Sequence, residues 1–323
     1  MKFRTEIEIP KSDLTLTPEE PILMVGSCFA DNIGNRMREC LWDADNSSGV
    51  LYNPLSIAEW LRMVLLSEHP AEAFSATLFE GGGMIHSWMG DTSYSATGVE
   101  ESVERFRRIA KRVRDVAKRG RTICITFGTS YCYFLNGRNM VVANCHKQPS
   151  ALFTRRRIDI DEITAPWLEL IARLKERYPG LRLIFTVSPV RHIRDGLSDN
   201  TLSKATLRLA VDRLCREEGC YYFPAYEIMM DDLRDYRFYG SDLVHPNEQG
   251  VEYIWERFVE TCLDEAGKCY LKEGNALMKR LNHRHINATA EMVERFAAQT
   301  QAQLRAFKAL HPGALLPHPN DKS

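Results

Sequence analysis

The run Ile22-Leu23-Met24-Val25, which stops at Gly26 and hands the chain to Ser27, constrains the fold more than any other stretch. Four branched or long apolar residues in succession leave no polar face for solvent. They read as a strand covered on both sides, the habit of a parallel sheet. From Phe29 the spacing turns helical, with Phe29, Ile33, Met37 and Leu41 on one side and Asp31, Asn32, Asn35 and Arg38 on the other. Ser27 therefore falls at a strand-to-helix turn, where free N–H groups and the positive end of the helix can hold an anion or a developing oxyanion. That position suits a nucleophile, and it equally suits a plain helix N-cap.

The same alternation of short apolar run and amphipathic helix recurs down the chain. Val50-Leu51-Tyr52 is a second strand, closed by Asn53-Pro54, with a helix over Leu55 to Leu66. Val99 to Gly120 is a helix with Val99, Val103, Phe106, Ala110, Val113 and Val116 inward; its basic stripe is interleaved with acids and reads as a solvated face. Thr122 to Phe127 is a strand ending in Gly128-Thr129-Ser130, and Asn136-Gly137 between apolar runs predicts a β-hairpin whose return ends at Asn144-Cys145-His146. A helix over Pro166 to Arg177, with the proline in its first turn, leads to the strand Leu181 to Val187, which closes in Ser188 to His192. A helix over Asp199 to Glu218, with Leu202, Ala205, Leu209 and Leu214 inward, precedes the last strand, Tyr221-Tyr222-Phe223. The expected fold is a doubly wound parallel sheet, whose ligands gather beyond the carboxyl ends of its strands. Gly26-Ser27, Asn53, Gly128-Thr129-Ser130, Ser188 to His192 and Tyr226-Glu227 all fall at that edge.

With 323 residues, 44% of them hydrophobic, the chain can bury a full α/β core and retain an appendage. A net charge of −1 sets up no global field toward nucleic acid or an anionic membrane. The first fifteen residues lack an apolar leader core and no spanning-length apolar run occurs, so the expected location is the cytoplasm. Nine cysteines without CxxC pairs predict reduced thiols. Residues 1–20, alternating through Phe3, Ile7 and Ile9, add an edge strand or lie along the surface. Residues 67–98 form a turn-rich insert in which His86, Trp88 and Tyr94 either line a substrate cleft or pack among themselves. Beyond residue 270 a polar helix with Met292, Phe296, Leu304 and Phe307 packs back onto the core or mediates a homodimer, before a loose tail. The expected division is 20–265 for the sheet-bearing unit and 266–323 for the extension and tail.

A serine hydroxyl is a poor nucleophile until a base takes its proton, and that base works better when a carboxylate orients its ring. Asp242 and His245, three apart on a loop ahead of a helix, can supply both, with Pro246 in the helix's first turn and Val251, Ile254, Trp255 and Phe258 on its buried side. The segments GSCFA (Gly26 to Ala30), NCHK (Asn144 to Lys147), SPVRH (Ser188 to His192), YFPAYEI (Tyr222 to Ile228), DDLRDYRFY (Asp231 to Tyr239) and SDLVHP (Ser241 to Pro246) resemble those of the GSCFA family, over roughly residues 20–265. That family is related to the SGNH, or GDSL-like, hydrolases. The resemblance implies a three-layer α/β/α fold and a Ser-His-Asp ester hydrolase acting on acetyl or acyl esters. Ser27 then resembles the nucleophile, Asp242 the orienting acid and His245 the base.

Two departures from the SGNH pattern matter. No Asp precedes the nucleophile, and Gly128-Thr129-Ser130 lacks the Asn of the third-strand motif. Asn144 is therefore expected to return a side-chain amide to the oxyanion, beside the Ser27 N–H and a backbone N–H near Gly128 or Thr129. Arg191, His192, Asn53 and His146 are further candidates for substrate binding, each with a structural alternative. Cys28 raises a thiol mechanism, and Cys28, Cys145 and His146 a zinc site; both fit the spacing less well than the serine reading, which calls for no cofactor and no metal. The expected substrate is a small-molecule or carbohydrate ester. Acyl transfer and a catalytically silent carbohydrate-binding protein are the alternatives.

Overall fold

The computed structural model describes residues 4–10, 14–138, 140–286 and 288–316; Phe3 and the tail beyond 316 lie outside them. The first half runs β1 (Ile22–Gly26), α1 (Cys28–Arg38), β2 (Ala44–Asp45), α2 (Pro54–Leu61), α3 (Pro70–Ser75), β3 (Leu78–Gly81), β4 (Met84–Ser87), α4 (Val99–Gly120) and β5 (Thr122–Phe127). There follow β6 (Tyr131–Leu135), β7 (Met140–Val142), β8 (Phe153–Arg157), α5 (Ile160–Arg177), β9 (Arg182–Val187), α6 (Leu197–Leu214) and β10 (Cys220–Tyr222). One turn, α7 (Ala225–Glu227), then leads to α8 (Glu248–Cys262), α9 (Glu265–Leu281) and α10 (Ala290–Leu310).

Five strands form a parallel sheet in the order β10-β9-β5-β1-β2. The chain winds one way from β1 to β2 and the other way from β5 to β10, so a crevice opens where the two halves diverge, between the ends of β1 and β5. Gly26 makes that junction possible: its φ is +133°, and a Cβ there would lie 2.2 Å from the Thr126 carbonyl oxygen. The second strand is shorter and earlier than its apolar residues suggest. Ala44 and Asp45 pair with Ile22 and Leu23, while Val50 makes only an isolated bridge to Gly26.

Alternate residues of the sheet feed two cores, and the fold is three-layered, α/β/α. Leu23, Val25, Ile123, Ile125, Leu183 and Phe185 face α2, α4, α5 and α6. Ile22, Met24, Cys124 and Ile184 face α1, α8 and the carboxyl-terminal helices. The expected inward residues of α1 are buried, as are those of α4 except Val99. Two helices differ from expectation. Helix α5 starts at Ile160, under a capping box in which Asp159 accepts from Glu162 N–H and Glu162 from Asp159 N–H, so Pro166 sits inside the helix. Helix α6 is rotated: Leu202 and Leu209 are exposed, and Ser203, Lys204, Leu207, Val211 and Leu214 are buried. Helix α8 begins one residue after Asn247, whose side chain caps Gly250 N–H, so Pro246 precedes it.

Helix α9 packs its Tyr270 edge-on to Trp42 and bonds the Tyr270 hydroxyl to Leu41 O at 2.7 Å; Leu304 and Phe307 of α10 join the same core. The amino-terminal segment lies along α8: Ile7 N–H donates to Asp232, Arg257 to Ile7 O, and Leu16 bridges Leu263. Among the described residues no helix is long and apolar enough to cross a membrane.

Two small sheets lie apart from the five-stranded one. The β3–β4 hairpin turns at Gly82-Gly83, both at positive φ, and the insert carrying it packs by its own aromatics, with Trp88 and Tyr94 buried and Trp88 stacked on Phe79. The expected hairpin forms with Tyr133 opposite Val142, and β8, absent from the sequence reading, adds to its other edge in the order β7-β6-β8.

Candidate active site

Ser27 occupies the N-cap of α1 but does not cap it. Its backbone is extended and its side chain makes no cap bond; the hydroxyl is buried with no hydrogen-bond partner among the described residues. Its N–H donates to Thr126 O at 3.2 Å. Buried hydroxyls are usually paired; Thr126 and Thr186 on the neighbouring strands share this state, and of the three only Ser27 lines the cleft described below. Ala30 N–H donates to Ser27 O at 2.8 Å, which leaves the N–H groups of Cys28 and Phe29 as the first-turn donors of α1 beside the Ser27 hydroxyl.

Asp242 and His245 meet on the loop before α8. Asp242 Oδ2 lies 2.6 Å from His245 Nδ1, and Asp242 Oδ1 accepts the N–H groups of Val244 and His245, each at 3.0 Å. Those two backbone donors, followed by the imidazole, hold the Asp242 carboxyl down at about 2. Leu243 closes the turn at φ +60°, a left-handed conformation that costs a branched-chain residue on the order of 1 kcal/mol. The loop is fixed by Gly240 N–H to His245 O at 2.8 Å, a Tyr239–Pro246 bridge and Arg191 N–H to Val244 O at 3.3 Å.

A cleft of about 390 Å³ brings Ser27 and His245 together with Asn53, Thr129, Arg191 and His192. Strands β6 and β8 build its far wall with Tyr131, Tyr133 and Arg155. Trp88 and Tyr226, expected near the edge, do not line it. Neither does Asn144, whose carboxamide oxygen accepts His146 N–H at 2.8 Å in a local turn. His146 binds the carbonyls of Ser87 and Gly90 through Nε2 and stacks near His86, tying the hairpin to the insert; burial, the largest influence, pushes its pKa down. The Gly128 and Thr129 N–H groups both donate to Tyr52 O, at 2.8 and 3.1 Å, and so are spent on the scaffold. Gly128 instead makes room: a Cβ there would come within 3.0 Å of Tyr52 O and 3.3 Å of His192 Nε2.

Asn53 has the geometry missing from Asn144. It is buried in the cleft wall, and Ser56 N–H bonds its Oδ1 at 2.8 Å, which fixes the amide's orientation. Its Nδ2 reaches only Val142 O, at 3.5 Å. Cys28 lines the cleft, and burial raises its thiol pKa, which disfavours the thiolate. Among the described residues no group of three His, Cys, Asp or Glu side chains is placed to hold a metal, Cys28, Cys145 and His146 included.

A GSCFA family model matches residues 21–258. The chain belongs to the GSCFA family. No curated protein sequence matches it. Among solved structures, an acetyl xylan esterase from the rumen bacterium Butyrivibrio proteoclasticus aligns at 14% identity with a TM-score of 0.33, over 76% of the GSCFA chain. The alignment covers 63% of that esterase, whose activity is a property of that protein.

One residue of this GSCFA site escaped the sequence reading. Lys204 of α6 is fully buried and donates to Gly128 O and Ser188 O, each at 2.7 Å, joining the ends of β5 and β9. No carboxylate pairs with it among the described residues, and burial brings its pKa down to about 7. Burial, then the charge of Lys204, holds neighbouring His192 down at about 4, its Nε2 buried without a partner. The signal was present: Lys204, Leu207, Val211 and Leu214 are spaced as one helical stripe, with a lysine standing where a core residue belongs.

Proposed function

We propose that this GSCFA protein is a serine ester hydrolase that removes a short acyl group, acetyl being the simplest, from a carbohydrate-type alcohol. One observation carries the reading: a buried, unpartnered Ser27 hydroxyl opens on the same cleft as a histidine whose other nitrogen is held by a carboxylate. Family membership supports it.

In this reading Ser27 Oγ attacks the ester carbonyl carbon while His245 Nε2 takes its proton, and Asp242 holds the Nδ1–H tautomer and favours the imidazolium. The carbonyl oxygen becomes an oxyanion, received by the first-turn N–H groups of α1 and by Asn53 Nδ2, in place of the Asn144 amide. His245 then protonates the departing alcohol. Water, deprotonated by the same nitrogen, releases the acid and restores the Ser27 hydroxyl. Ser27 Oγ makes no hydrogen bond among the described residues and the His245 side chain is half exposed, so in this reading the Oγ–Nε2 bond forms only once substrate is bound. Lys204 acts one step removed, fixing the loops beneath the site, and neutral His192 adds a polar edge without a second positive charge.

A panel of p-nitrophenyl esters from acetate to octanoate, run beside Ser27→Ala, tests this. The expected result is turnover that falls with chain length and vanishes in the variant, with fluorophosphonate labelling of Ser27 in the wild type. Background rates across the panel together with no labelling would overturn the reading.

A further inference from the structure

The charges lining the cleft are unbalanced. Three guanidinium groups face it, Arg155, Arg191 and Arg194, against one carboxylate lining it, Asp195. Asp195 is consumed by Arg155, which grips it with two bonds of 2.6 Å and lies over the Tyr131 ring. Arg191 and Arg194 form no ion pair among the described residues. Arg191 donates to the Tyr239 hydroxyl at 3.0 Å and lies over the Tyr239 ring, and Arg194 donates to the Tyr133 hydroxyl. Behind Arg191 a smaller cavity holds Arg234 and Asp235, but Asp235 is turned to the Arg237 N–H at 2.8 Å.

A phenol orients a guanidinium without neutralising it. Each arginine is thus held in place with its charge undiminished and part of its donor fork unused, the arrangement that receives carboxylate or phosphate oxygens. The neighbouring groups do not cancel it: His192 is neutral, Cys28 is a thiol, and Asp242 is bound to His245. Between walls of low dielectric, such a patch concentrates anions.

We infer that the alcohol part of the substrate is anionic, an acidic sugar whose carboxylate or phosphate is received by Arg191 and Arg194 while its acyl ester reaches Ser27. This rests on the ester-hydrolase reading for the chemistry but not for the binding, and the two can be separated.

The test compares O-acetylated glucose, glucuronic acid and glucose 6-phosphate, as substrates of the wild type and as ligands of Ser27→Ala by titration calorimetry. Both acidic sugars, or one of them, should exceed glucose about tenfold or more in kcat/KM, chiefly through KM, with the advantage shrinking as salt is added. A preference for only glucuronate or only phosphate identifies the anion. In Arg191→Gln/Arg194→Gln the anionic-to-neutral ratio should fall toward one, and Arg191→Lys should keep part of it. Turnover with no charge preference, or a preference that survives the double substitution, overturns the inference and leaves the hydrolase standing. Anion-selective binding to Ser27→Ala without turnover by the wild type supports the anionic cleft and removes the hydrolase. Absence of both binding and turnover defeats both.

Discussion

The two arms of the site are built in opposite ways. Ser27 sits at the end of a central strand, buried, backed by both cores and hydrogen-bonded only through its backbone. Asp242 and His245 sit on a surface loop with half-exposed side chains, yet are joined by two short-range bonds, with Val244 N–H adding a third to Asp242. The hydroxyl is thus positioned by long-range packing and left without a hydrogen bond among the described residues, whereas the imidazole is positioned by its own turn. On the proposed reading, the nucleophile is set by the core and its base by a preassembled loop, so each can be perturbed without the other.

The comparison breaks most severely if Ser27 can be dispensed with. Ser27→Ala should cut ester turnover roughly 10⁴- to 10⁶-fold, the scale on which a triad serine acts. Urea unfolding of the same variant should show stability unchanged or raised by about 0.5–1 kcal/mol, because an unpaired buried hydroxyl is removed. Asp242→Asn probes the locally built arm. It keeps the loop's size and one acceptor oxygen but loses the charge that favours imidazolium, so kcat should fall roughly 10²- to 10⁴-fold with little change in melting temperature.

The next effect separates the two asparagines. Asn53→Ser retains an oxygen to cap α2 but loses the amide donor, and kcat should drop about 100-fold while KM moves little. Asn144→Ala should leave kcat near the wild-type value, since its oxygen serves only its own turn. Equal losses in the two would place the oxyanion elsewhere.

The smallest effect concerns the scaffold under the buried arm. Unfolded Lys204 keeps its proton until near pH 10.5, whereas the folded group, at about 7, releases it earlier. Between those values the unfolded state binds more protons, so this residue makes stability rise with pH. Lys204→Met should flatten that rise, by on the order of 2 kcal/mol between about pH 7.5 and 9.5, read from urea midpoints. An unchanged slope would show that Lys204 stays protonated in the fold.

Much was legible in the linear chain because it is local. Ile22 to Val25 had to be a two-sided buried strand, Asn136-Gly137 had to turn a hairpin, and a spacing of three lets Asp242 reach His245 within one turn. These depend on side-chain period and turn chemistry, which neighbours in sequence carry. Other features came only with tertiary structure. The Gly128 and Ser188 carbonyls that accept from Lys204 lie 76 and 16 residues away from it, so the local spacing offers two stripes on α6 and only the fold selects the one that turns a lysine inward and leaves Leu202 and Leu209 in solvent. Asn53 and Asn144 both stand at strand or hairpin ends; the choice between them depends on which amide faces the cleft and which closes its own turn. Periodicity reports how a residue relates to its own helix or strand, but an open hydroxyl, an unpaired guanidinium or a buried ammonium is defined by groups that the fold brings from elsewhere.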